Sequence, residues 1–136
     1  MSADAKHKHL DLVQGVISRM AQNSFIIKGW AITILTGLLA YGTSKPETPF
    51  IKIACLSIVP TLLFWILDAF YLSLEKQYRQ LFDAVRKKDN DKIDYKMDVT
   101  AFKKDKNSWL NIFACNLSLL FFYLPLLLLP FIIACF

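Results

Sequence analysis

Two charges set within apolar surroundings are the residues best placed to do chemistry. Lys28 stands in the run FIIKGWAITILTGLLAYG, and Asp68 stands in FIKIACLSIVPTLLFWILDAFYLSL. An ionisable group at membrane depth is costly, so it faces a protein interior, a partner or water. The turn between the runs falls near Pro46, with Lys28 18 residues before it and Asp68 22 after it. Antiparallel helices joined there bring both groups to a similar depth near one interface. Arg19 and Glu75 match in the same way, one level further out. Two readings are open. Static pairs, with Lys28 snorkelling, hold a helical hairpin in register; or these groups line an ion path or gate, together with Thr33 and Thr36 in an oligomer.

Other chemistry finds no support. There is no serine–histidine–acid set, no phosphate-cradling glycine loop and no HExxH, so no enzyme is expected. His7 and His9 lie in a polar terminus and are not read as a metal site. Cys55, Cys115 and Cys135 sit in apolar runs without CxxC spacing and read as small packing residues. No cofactor is expected.

The elements that position these residues follow from hydropathy. The chain has 136 residues, of which 55% are hydrophobic, and a mean hydropathy of +0.39. The apolar residues are gathered into runs long enough to be membrane spans. The expected fold is an all-α membrane protein with about three transmembrane helices. Residues 1–24 form a cytoplasmic tail, frayed to His9, and an amphipathic helix from Leu10. The amino terminus lacks the pattern of a signal peptide, so the first span, residues 25–42, is expected to stay in the mature protein.

Residues 43–49 form an external loop broken by Pro46 and Pro49, and 50–74 form a second span holding Pro60. The apolar stripe continues past the membrane edge. Phe50 to Val85 makes roughly 54 Å of helix against about 30 Å of hydrocarbon, so a long helical hairpin should project into the cytoplasm. Residues 75–108 form a basic stalk and loop. Within them KIDYKMDVT alternates apolar and polar residues, which predicts a short extended or β segment near 92–100. Residues 109–136 are the third span, interrupted by Pro125 and Pro130. Its Asn111, Asn116 and Ser118 are expected to make interhelical hydrogen bonds.

Cation placement orients the chain. Lys6, Lys8, Arg19 and Lys28 precede or enter the first span, and ten more cations lie between the second and third. Only Lys45 and Lys52 fall in the first connection, so fourteen of the sixteen lie on one side. The amino terminus is placed in the cytoplasm of a bacterial inner membrane and the carboxyl terminus on the periplasmic or external side. Gly29, Thr33 and Gly37 are spaced by four, a pattern that lets helices approach closely within one chain or between chains. Three helices enclose too little volume for a channel, so conduction would require a homo-oligomer of four or more subunits.

The basic segment mixes cations with aromatic rings. Arg86, Lys87, Lys88, Lys92, Lys96, Lys103 and Lys104 flank Tyr95 and Phe102. Such a mixture suits a single-stranded oligonucleotide or nucleotide ligand. A topology signal with lipid contact is the other reading, since seven acids reduce the segment to about +3.

The runs HLDLVQGVISRMAQNSFIIKGWAIT, WILDAFYLSLEKQYRQLFDAVR, IDYKMDV and FYLPLLLL resemble the small multi-span membrane effectors of bacterial anti-phage defence systems, the Hailong-type channel effector being the nearest likeness. The likeness extends over nearly the whole chain and names no chemistry of its own. It implies an oligomeric channel held shut by a single-stranded DNA oligomer that a partner nucleotidyltransferase makes. The expected function is therefore an inner-membrane ion channel or pore effector that depolarises the membrane. The alternatives are a non-conducting scaffold that docks a cytoplasmic protein, and a small transporter subunit.

Overall fold

The computed structural model describes residues 3–103 and 105–135, and the regular elements among them are all helical. Two long helices dominate: α1, Ala3–Ser44, and α2, Phe50–Lys87. A short α3, Trp109–Cys115, leads into α4, Leu117–Cys135. Helices α1, α2 and α4 are each long and apolar enough to cross a membrane. At 1.5 Å per residue, α1 and α2 each reach about 60 Å, roughly twice the thickness of a bilayer's hydrocarbon core.

Helices α1 and α2 pack side by side and run in opposite directions, from the turn after Ser44 to the contact of Lys6 with the end of α2. The turn contains the prolines that break the helix, and Pro49, with φ −56°, immediately precedes α2. Gly42 lets the two helices close on each other. A Cβ added there would lie 3.0 Å from Phe50 Cε2 and 3.1 Å from two side-chain carbons of Ile53. Gly42→Ala requires Phe50 and Ile53 to give way, an overpacking cost in the range of about 1–3 kcal/mol set against about 1 kcal/mol of helix propensity gained. It is expected to lower the unfolding midpoint in detergent. An unchanged midpoint would mean that Phe50 and Ile53 swing aside freely.

At the other end, α1 begins at Ala3 rather than near Leu10, because tertiary contacts hold its first turns. Lys6 Nζ donates to the carbonyls of Lys88 at 2.7 Å and Arg86 at 3.2 Å. Those groups lie where a helix leaves carbonyls without partners and where its dipole favours a cation. His9 is buried and packs edge-on against Tyr95, with ring centroids 5.6 Å apart.

The apolar core has two parts. Val13 and Ile17 of α1 meet Leu81 and Val85 of α2, and Ile93 closes that cluster. Ala31, Trp65, Ala69, Ile112, Leu119 and Tyr123 form the other, where α4 joins the long pair. Much of the remaining apolar surface faces outward, including Phe25, Trp30, Leu117 and Phe121. This is the surface expected of helices whose solvent is lipid.

The β segment expected near 92–100 is absent: no strand occurs among the described residues. Residues 93–99 run irregularly between single 3₁₀ turns at Asn90–Lys92 and Thr100–Phe102, and Tyr95 has a left-handed φ of 50°. The alternation has a different cause. Ile93, Tyr95 and Val99 pack on the cluster between α1 and α2, while Lys92, Asp94, Lys96 and Asp98 are exposed. The helices supply the apolar face that a partner strand would have supplied. Asp98 accepts from the backbone N–H of Thr100 at 2.9 Å and from its hydroxyl at 2.7 Å. These bonds hold its carboxyl below the usual carboxylate range and fix the turn.

The third apolar run is not one helix. It breaks at Asn116, whose extended backbone ends α3. The Asn116 side chain then accepts from the backbone N–H groups of Ser118 at 3.1 Å and Leu119 at 3.4 Å, an N-cap for α4. The interhelical bond expected of Asn116 is thus replaced by a local one. The connection into α3 is anchored by buried polar groups. Ser73 donates to the carbonyl of Asn107, Gln77 Nε2 donates to Ser73 Oγ at 3.0 Å, and Asn107 Nδ2 donates to the Phe102 carbonyl at 3.1 Å.

Candidate functional site

The two long helices in register bring Lys28 of α1 against Asp68 of α2, Nζ to Oδ2 at 2.5 Å. Asp68 is fully buried, whereas the Lys28 side chain is 23% exposed. The lysine can therefore keep one edge toward the surface, and the acid depends entirely on protein partners. Those partners come from two helices. Ser24, one turn before Lys28, donates its hydroxyl to Asp68 Oδ1. Lys28 also donates to Ser24 Oγ at 2.9 Å. From α4, the Tyr123 hydroxyl donates to Asp68 Oδ2 at 3.0 Å and lies 3.3 Å from the Phe64 carbonyl.

One carboxylate thus ties the three long apolar helices together through charge-assisted hydrogen bonds, the stronger kind. Aromatic rings wall the group. Trp65 stacks on Tyr123 with centroids 5.7 Å apart and planes 5° from parallel. Phe122 lies beneath the lysine, with Nζ 5.8 Å from its centroid. Tyr123 is six residues into α4, so the group lies roughly 9 Å along that helix. In this arrangement both carboxylate oxygens are engaged. The site can hold helices in register and exclude water. It presents no unoccupied carboxylate oxygen to a passing ion.

The other residues singled out in the sequence are distributed differently. Glu75 pairs with Arg79, one turn along its own helix, at 2.7 Å. Arg19 is exposed, and the Arg19–Glu75 pair does not form among the described residues. A partner four residues away in the same helix competes with one across the interface, and here the local partner wins. Gly29, Thr33, Thr36 and Gly37 all face outward on α1. Nothing lies within 4 Å of a Cβ added at Gly29 or Gly37, so this face takes no part in packing within the chain. Thr33 Oγ1 donates to the Gly29 carbonyl at 2.9 Å.

The basic segment divides into paired and unpaired cations. Arg86 pairs with Asp83, Lys92 with Asp89, and Lys96 with Asp94. Lys87, Lys88 and Lys103 are exposed and have no acidic partner among the described side chains. Lys104 lies outside the described residues. Tyr95 and Phe102 are half-buried against the cluster formed by Val13, Ile17, Leu81, Val85 and Ile93. Cys55, Cys115 and Cys135 are exposed and unbridged.

Sequence reasoning found Lys28 and Asp68 but missed Ser24 and Tyr123. Both carry hydroxyls at the depth of the acid. A fully buried carboxylate has about four lone-pair sites to satisfy, which was the available signal that further donors were needed.

Fold and site together define a small helical protein whose three membrane-length helices are joined at one buried acid. Comparison with protein-family models, with curated proteins and with solved structures gives no match.

Proposed function

We propose that the chain is the subunit of a homo-oligomeric ion channel or pore effector in a bacterial inner membrane, acting in anti-phage defence by depolarising that membrane. The observation that carries this reading is the outward face of α1. Gly29, Thr33, Thr36 and Gly37 stand exposed within a membrane-length helix, and nothing from the other helices lies within 4 Å of a Cβ added at Gly29 or Gly37. Bare backbone and hydroxyls on that surface suit close packing against another copy, or contact with water at an inter-subunit axis. The Lys28–Asp68 group then acts as the fixed brace of each subunit. Any ion path runs between subunits, lined by Thr33 and Thr36.

Assembly is tested by Gly37→Leu. The wild-type chain in lipid nanodiscs is expected to run at the mass of four or more copies. Gly37→Leu should reduce that mass while leaving the helical content and unfolding midpoint of the subunit unchanged. A wild-type monomer in lipid contradicts the channel reading.

In this reading the turn between α1 and α2 lies outside the cell membrane. The distal halves of the two helices form a long hairpin in the cytoplasm, with the amino terminus inside and the carboxyl terminus outside, a reading supported by the placement of fourteen of the sixteen cations. A thiol probe at Thr43 should react in intact cells, and one at Asp89 only after permeabilisation. The reverse pattern overturns the orientation. The hanging basic segment is the regulatory surface, taking a single-stranded oligonucleotide or nucleotide supplied by a partner nucleotidyltransferase. The second reading, a non-conducting scaffold for a cytoplasmic protein, is favoured by the packed state of Tyr95 and Phe102. It is separated from the first by the absence of ion flux from an assembled oligomer.

A further inference from the structure

Where α3 breaks from α4, the surface forms a polar notch of about 160 Å³. Lys76 of α2, Lys106 of the connection, Asn111 of α3 and Asn116 line it, and Leu117 forms one edge. Among the described residues no acid lines the notch, and neither lysine has an acidic partner among the described side chains. Asn116 spends its carbonyl oxygen on the first N–H groups of α4, so its amide nitrogen remains as a donor. The positive end of the α4 dipole lies at the same place. The notch is therefore rich in donors and carries two positive charges.

Leu117 also belongs to a second depression, an apolar groove of about 530 Å³ running down α4 past Leu120, Phe121, Leu124 and Leu128. From Leu117 to Leu128 the groove extends roughly 16 Å along the helix. A cationic notch at the head of a membrane-length helix thus continues into an apolar groove along that helix. We infer that this surface binds an anionic phospholipid, with its phosphate held by Lys76 and Lys106 and an acyl chain in the α4 groove. Charge complementarity selects the occupant, because two ammonium groups over an apolar track match an anionic phosphodiester carrying a hydrocarbon tail. The inference rests on α4 lying in a bilayer and not on conduction.

The test is native mass spectrometry of the full chain in detergent, equilibrated with equal amounts of phosphatidylglycerol and phosphatidylcholine of matched acyl chains. Phosphatidylglycerol adducts are expected to exceed phosphatidylcholine adducts on the order of ten-fold, given two lysines near the phosphate. Lys76→Gln with Lys106→Gln should bring the ratio near one. Lys76→Arg with Lys106→Arg should keep it, showing that charge rather than fold is read. Removing two charges elsewhere, with Lys8→Gln and Lys52→Gln, should also leave the preference in place. Leu124→Trp, which fills the groove, should lower lipid retention with both lysines intact. Excess glycerol phosphate should not displace the lipid, and complete displacement would assign the notch to a soluble phosphate instead. Equal retention of the two lipids by the wild type, or a preference that survives the glutamine pair, overturns the inference.

Discussion

Lys28→Met is expected to lower the stability of the helical subunit by about 2–4 kcal/mol. The change leaves Asp68 fully buried and without a counter-charge, with only the hydroxyls of Ser24 and Tyr123 as donors. Removing one partner of a fully buried pair costs about 3–5 kcal/mol, and the 23% exposure of Lys28 places this site at or below the lower half of that range. Asp68→Leu should cost less, because an unpaired Lys28 can extend toward the surface. Asp68→Asn keeps a single amide oxygen, which accepts from Ser24 or from Tyr123 but not from both, because they bond different carboxylate oxygens, so its cost should be close to that of Asp68→Leu. The double change Lys28→Met/Asp68→Leu should be milder than the sum of its parts by at least about 1 kcal/mol. Unfolding in detergent, followed by circular dichroism, gives all four values. Strict additivity would mean that the two side chains do not act on each other.

Part of this brace is legible in the sequence, for a simple reason. A charged letter inside an apolar run stands out, and counting from a proline-marked turn gives its partner. The same counting fails for Arg19 and Glu75. They lie where Arg79 offers Glu75 a partner one turn away, and helix geometry makes that contact without any tertiary constraint. Tyr123 is hidden because one hydroxyl among the apolar and aromatic letters LLFFYLP reads as another apolar ring. Ser24 is hidden because it lies in an amphipathic lead-in where polar letters are common. The alternation in KIDYKMDVT marks a segment whose Ile93, Tyr95 and Val99 pack inward, while Met97, the fourth apolar residue of the pattern, is exposed. The pattern cannot say whether a strand or a pair of helices covers the inward residues, and here the helices do. The break at Asn116 is lost among apolar neighbours, since a capping residue is recognisable only when the helix start is already known.

Binding of short single-stranded DNA to the assembled protein is expected to fall steeply with salt. Each phosphate neutralised contributes a slope of about −0.7 in log affinity against log salt. The structure distinguishes among the cations. Neutralising Lys87, Lys88 and Lys103, which have no acidic partner among the described side chains, should reduce binding and flatten the slope by about 0.7 for each contact removed. Neutralising Lys92 or Lys96 should matter less, because each already pairs with an aspartate. Tyr95→Ala and Phe102→Ala remove a ring that bases could stack on, but they also remove part of a packed cluster. The lysine variants are therefore the cleaner probe of ligand contact. A salt-series titration by fluorescence anisotropy measures both quantities. No binding at low salt to a properly assembled oligomer would remove the oligonucleotide as trigger and leave the basic segment to topology, lipid or a protein partner.

The claim that assembled copies conduct is tested most directly with the purified chain in liposomes carrying a preset membrane potential, followed with a voltage-sensitive dye. Without a ligand to hold it shut, the wild-type chain is expected to collapse the potential, and Gly37→Leu, impaired in assembly, should hold it near the level of empty liposomes. A potential that persists over wild-type chains shown in the same liposomes to be assembled and correctly oriented would contradict the channel account.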